Sequence, residues 1–155
     1  QHVDLNIDFK HDFNYLVMAQ WGPRKNLENT IRWWVEENHD EEVGLILKTS
    51  LRNGSLADRA QVERNIKILL SEFEDRKCSV YLLHGTMEPE EISSLFAHPK
   101  IKAFIGLSHG EGFGLPLFEA AYSGLRKKKA SQKQCLRRST MIFLRCKSRP
   151  TGRTL

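Results

Sequence analysis

The chain has 155 residues, 40% hydrophobic and 28% charged, enough for one globular domain with a real core and too polar for a membrane protein. Its net charge of +5 averages two unlike segments: residues 1–119 carry 13 Lys and Arg against all 19 Asp and Glu, while residues 120–155 carry the other 11 basic residues and no acid. No run approaches the roughly 18 apolar residues of a membrane span, no signal-peptide pattern opens the chain, and three cysteines (Cys78, Cys135, Cys146) without a CxxC pair argue against a disulfide framework or zinc site and point to a reducing, cytoplasmic setting.

Strand and helix patterns alternate through the first 125 residues. Tyr15-Leu16-Val17-Met18-Ala19 is a short apolar run, as expected of a strand covered on both faces. After Gly22-Pro23 comes a helix with Leu27, Ile31, Trp34 and Val35 on one stripe, and Asn26 is its natural N-cap. Trp34 fits that stripe and the adjacent Trp33 can only flank it. Val43–Leu47 reads as the second strand. The turn Asn53-Gly54-Ser55 then leads to a helix with Val62, Ile66, Leu69, Leu70 and Phe73 inward. Val80–Leu83 is the third strand, and Pro89 with Glu90 and Glu91 opens a helix carrying Ile92, Leu95 and Phe96. Ala103–Leu107 is the fourth strand. Pro116 opens a last helix that uses Leu115, Phe118 and Tyr122.

Four β-α units in succession imply an α/β, Rossmann-like fold: a parallel sheet with helices on both faces and right-handed crossovers. Ligands of such sheets bind beyond the strand C-termini. The loops to inspect are therefore 20–26, 48–57, 84–88 and 108–115. The pattern fails after Leu125. Arg126-Lys127-Lys128-Lys129 stands where a fifth buried strand should begin, and beyond it only Met141–Leu144 has strand character.

The loop from Ser108 to Leu115 carries the most chemistry. It joins a buried strand to a helix start, where backbone N–H groups lack intrahelical partners and the helix dipole favours an anion. Gly110, Gly112 and Gly114 let that backbone approach a ligand closely. A dinucleotide fingerprint is excluded, because Leu115 occupies the place of its third glycine, and no P-loop is present. Glu111 and Glu119 bracket the loop, eight positions apart. Carboxylates accept hydrogen bonds from paired hydroxyls, the means by which proteins grip sugars and riboses. Two glutamates at this spacing are also compatible with a solvated residue and a helix-dipole partner.

The string Glu111-Gly112-Phe113-Gly114-Leu115-Pro116-Leu117-Phe118-Glu119-Ala120-Ala121 resembles the E-x7-E motif of retaining, family 4-type glycosyltransferases of the GT-B fold. Pro23-Arg24-Lys25-Asn26-Leu27 is similar to that family's R-K-N element, and Gln1–Ile7 resembles the start of its C-terminal domain, with His2 where a glycine is usual. The resemblance covers residues 1–125 and implies a nucleotide-sugar-binding domain there, one half of a GT-B enzyme. It implies that Glu111 binds donor-sugar hydroxyls and Glu119 the ribose. The N–H groups of Gly112, Phe113, Gly114 and Leu115 would hold the sugar and diphosphate, and Arg24 and Lys25 would neutralise the leaving group. No metal cofactor is implied.

Lys48 is a second phosphate candidate or a solvated strand-end lysine. Gly85, Thr86 and Met87 are candidates for the base pocket or a plain capping turn. His109 adjoins Glu111, a position open to the sugar or simply to solvent, and His84 has no evident partner. The acceptor would be bound by an N-terminal domain, without which this half transfers little or nothing. Residues 126–155 depart from the family pattern and form an atypical basic tail, most simply a truncation or frame shift. A tail that binds nucleic acid or an anionic membrane surface is the competing reading, and a non-catalytic nucleotide-binding or interaction module is a second. Phe143 is its one aromatic residue, which disfavours nucleic acid.

Overall fold

The computed structural model describes residues 3–109, 114–122, 126–127 and 142–145. Strand β1 (Asn14–Met18) leads through a single 3-10 turn (Pro23–Lys25) to α1 (Leu27–Glu37). Then come β2 (Gly44–Lys48), α2 (Leu56–Leu70), β3 (Ser79–Leu83), α3 (Pro89–Phe96), β4 (Ile101–Gly106) and α4 (Leu115–Tyr122). Two short strands, β5 (Arg126–Lys127) and β6 (Ile142–Arg145), complete a sheet of order β3-β2-β1-β4-β6-β5. The first four are parallel, as the sequence predicts; β6 runs antiparallel to β4, and β5 antiparallel to β6.

Strands β1, β2 and β4 bury side chains on both faces, β3 half-buries its own, and period-two alternation sorts them. Leu16 lies opposite Ile46 in β2 and Phe104 in β4, and all three belong to one core layer with Ile7, Phe9, Leu95, Phe96 and Ala120. Their neighbours Val17, Leu45, Leu47 and Ile105 point the other way, into a second layer with Leu27, Ile31, Val35, Val62, Ile66 and Leu69. Helices α1 and α2 therefore cover one face, and α3 and α4 the other. Burying each such Leu, Ile or Phe stabilises the fold by about 1.5–3 kcal/mol before entropy is counted. Trp34 is in the core and Trp33 packs at its margin, as the stripe predicts. The N-terminal segment is tied across the second face: Val3 N–H donates to Ser94 Oγ at 2.8 Å, and Phe9 meets Tyr81 edge-on, with ring centroids 5.2 Å apart.

Three expectations change. Leu115, Phe118 and Tyr122 do not form the inward stripe of α4; they are 55%, 62% and 91% exposed, and Ala120 faces the core instead. At 100° per residue those three positions lie on the side of the helix opposite Ala120. Asn26 occupies the N-cap position of α1 but does not cap it. Its φ of 53° puts it in the left-handed region, which asparagine tolerates, and its side chain makes no capping bond. Finally, Arg126–Lys127, read as the end of the pattern, forms the edge strand. Apart from β6, the rest of 126–155, with Cys135 and Cys146, lies outside the described residues, and Cys78 is buried as a free thiol.

Candidate functional site

The chain moves outward from β1 to β2 and β3, then crosses back to place β4 on the opposite side of β1. The strand order thus reverses between β1 and β4, and the crevice beyond their C-termini is where open α/β sheets bind ligands. The loop leaving β1 carries Arg24 and Lys25; the loop leaving β4 carries the glycines.

Those two loops are joined. The His109 N–H donates to the Arg24 carbonyl at 2.9 Å, and Asn26 Nδ2 donates to the Leu107 carbonyl at 3.1 Å. Asn26 Oδ1 in turn accepts Asn29 Nδ2 at 2.7 Å, and its carbonyl accepts both the N–H and the hydroxyl of Thr30. The side chain expected to cap α1 therefore bridges to the neighbouring strand exit. Between the loops lies a cleft of roughly 530 Å³, part of it open to solvent, lined by Lys25, Thr30, Gly106, Ser108, Gly114 and Pro116 over an apolar floor from β1 and β4.

Helix α4 begins at this cleft. Gly114 has φ +68°, a left-handed conformation that favours glycine, and its carbonyl accepts the Phe118 N–H at 3.1 Å. Leu115 is exposed at the helix start, and Glu119 is exposed one turn further on. Lys25 and Gly114 thus line the same cleft, with Arg24 beside it on the surface. Glu111, Gly112 and Phe113 lie outside the described residues, as does Gly110. Among the described residues no group of three or more His, Cys, Asp or Glu is arranged to hold a metal. No helix among them is long and apolar enough to cross a membrane.

The other candidates gather at the ends of β2 and β3. Lys48 Nζ donates to the Gly85 carbonyl, and burial pushes the pKa of its ammonium down, against the charge of Glu91. Gly85 has φ +102°, Thr86 is exposed, and Met87 is half-buried against the core layer of α3.

Sequence reasoning missed one pair here. His84 Nε2 lies 2.7 Å from Asp58 Oδ2, with side chains only 3% and 6% exposed. Burial works to raise the Asp58 pKa, but hydrogen bonds from His84 and from the Arg52 and Leu51 N–H groups outweigh it and hold the carboxyl below its usual value. The only signal in the sequence was Asp58 three residues after Ser55, whose hydroxyl caps α2.

No family model matches the chain, and no curated protein does. Among solved structures, the apo structure of OtsA matches with a TM-score of 0.50 at 15% identity, over 74% of this chain and 27% of that one. A second, described as trehalose-6-phosphate from E. coli bound with UDP-2-fluoro glucose, gives 0.49 at 16% identity over 76% and 27%. The first likeness is one of fold alone: the chain forms a Rossmann-like α/β unit resembling part of the OtsA chain. It spans about a quarter of the OtsA chain.

Proposed function

We propose that this domain binds the donor of a sugar transfer, a nucleoside-diphosphate sugar, and supplies the donor half of a retaining glycosyltransferase. The observation that supports this reading is the joining of the two loops at the β1/β4 switch point, which brings Lys25 and Gly114 to one cleft. A diphosphate there meets a cation from one strand exit and the N-terminus of α4 from the other, and both favour negative charge. Arg24 and Lys25 stabilise the diphosphate as its bond to the anomeric carbon breaks, because charge grows on the leaving oxygen in the transition state. Glu119, exposed on α4, accepts the ribose hydroxyls. Glu111 accepts sugar hydroxyls, and the N–H groups of Gly112, Phe113, Gly114 and Leu115 hold the phosphates and sugar. Gly85, Thr86 and Met87 face the base, and Lys48 stands behind them. With two cations and a helix end present, no metal is needed for binding. The acceptor comes from a second domain of the GT-B architecture, in a cytoplasmic setting.

Thermal shift with nucleoside diphosphates and nucleotide sugars tests the reading. A ligand at about 100 times its Kd should stabilise the protein by about 2.7 kcal/mol. Glu119→Ala, which removes an exposed side chain, should abolish the nucleoside-dependent part of the shift and leave the unliganded Tm unchanged. EDTA should leave it intact. No shift with any nucleoside diphosphate sinks the proposal.

A further inference from the structure

At the ends of β2 and β3, one buried carboxylate organises three segments. Asp58 Oδ2 meets His84 Nε2 at 2.7 Å, and the two oxygens accept the N–H groups of Leu51 and Arg52, both at 3.0 Å. The Asp58 N–H itself donates to Ser55 Oγ at 3.2 Å. The start of α2, the loop before it and the end of β3 are thereby held at one point. Buried charged groups are a weak source of net stability, because their desolvation offsets most of their attraction. Their hydrogen bonds are directional, however, and this set is complete only when all three segments adopt one arrangement.

The segment fixed most directly is the β3–α3 loop. His84 is followed by Gly85, whose carbonyl accepts Lys48 Nζ from β2. Gly54, in the first loop, backs closely on Gly85: a Cβ at Gly54 would lie 3.5 Å from Gly85 Cα. From there the loop crosses the sheet edge to start α3, on the face that α4 shares. Gly85 is thus held by Lys48 next to the clamped His84, with Gly54 of the β2–α2 loop facing Gly85 and Thr86.

We propose that the His84–Asp58 pair is a positioning clamp that sets the base preference of the nucleotide site, by preorganising Gly85, Thr86 and Met87 without touching the nucleotide itself. The inference rests on the donor-site reading above. A loop ordered in advance loses less entropy on binding, so the clamp should strengthen contacts to the base and leave those to the diphosphate unchanged.

Isothermal titration of the full chain with UDP, CDP, ADP, GDP and inorganic pyrophosphate provides the test. The wild type should bind one nucleoside diphosphate about tenfold more tightly than pyrophosphate and than the least-favoured base. His84→Leu should flatten that preference with pyrophosphate affinity unchanged, and His84→Gln, whose amide can still donate to Asp58, should restore it. Retained preference in His84→Leu, parallel loss of pyrophosphate binding, or no rescue by glutamine overturns the clamp alone. So does a wild type that binds pyrophosphate and every base equally. A wild type that binds none of these ligands removes the donor site as well. Amide exchange in the wild type decides the matter if His84→Leu does not fold: the Leu51 and Arg52 amides should be protected before nucleotide is added. Exchange that slows only on nucleotide addition overturns preorganisation.

Discussion

The strand ends on the two sides of β1 are finished by different chemistry. Toward β4, the exit loops are joined by the His109 N–H on the Arg24 carbonyl and by an amide side chain, Asn26, on the Leu107 carbonyl. Toward β3, a backbone bond from the Thr49 N–H to the Leu83 carbonyl is accompanied by ionisable side chains, with Asp58 gripping two backbone N–H groups and His84, and Lys48 gripping Gly85. The difference suits two tasks. A diphosphate is the same in every donor, and a generic anion site of cations and helix N–H groups serves it. Bases differ, and reading one needs a loop of fixed shape. On the donor-site reading proposed above, the ionisable joints lie on the side that would read the base.

The largest expected effect on binding breaks the β1/β4 side. Lys25→Ala should weaken pyrophosphate and nucleoside diphosphates alike, by about 30-fold or roughly 2 kcal/mol, the scale of a lost charged hydrogen bond. Titration of both ligand classes checks this. Equal losses sharpen the comparison, whereas a loss confined to one nucleoside diphosphate would erase it.

The two left-handed glycines separate the sides by stability. A Cβ at Gly85 or Gly114 meets nothing within 4 Å, so alanine at either position costs backbone strain alone. Gly114, at φ +68°, lies in the region other residues reach for about 1–2 kcal/mol. Gly85, at φ +102°, is further from it, and Gly85→Ala should cost about 2–3 kcal/mol. Urea denaturation of the two variants should therefore rank Gly85→Ala as the more damaging. The reverse order would mean that the β3–α3 loop relaxes freely and is not held by its neighbours.

How much of this was legible in the sequence follows the range of the interactions. The four β-α units were, because apolar runs such as Val43–Leu47 and stripes such as Leu27, Ile31, Trp34 and Val35 report local periodicity; the structure moves the second strand by a single residue, to Gly44–Lys48. The last helix was misread because Leu115, Phe118 and Tyr122 outweigh one small residue in any apolar count. Yet Ala120 is the described α4 residue that joins the core layer of Leu16 and Phe104. Asn26 was assigned the commonest role for its position, since nothing local announces a bond to a carbonyl 81 residues away. The His84–Asp58 pair was invisible for the same reason. Its partners meet only because β2 and β3 are adjacent, a consequence of topology and not of spacing. On the candidate site, Arg24, Lys25, Gly114 and Glu119 were picked out by resemblance, and the two joints that organise their surroundings were not.

The smallest effect is an acid one, and it should appear on the β2/β3 side. The Asp58 pKa is lowered in the fold, so the unfolded chain takes up the proton first as pH falls. The carboxylate's contribution to stability is then whole above the unfolded pKa of about 4 and disappears as pH drops toward the lower folded value. Wild type and Asp58→Asn should differ in urea midpoint near neutrality, and the gap should narrow between about pH 5 and pH 3. Asn26→Ala should keep a constant gap from the wild type across the same range, because the bond it removes, Asn26 Nδ2 to the Leu107 carbonyl, involves no titrating group. A gap for Asp58→Asn that stays constant into acid would mean that the carboxylate's charge adds nothing to its hydrogen bonds. The contrast between the two sides would then be one of geometry alone.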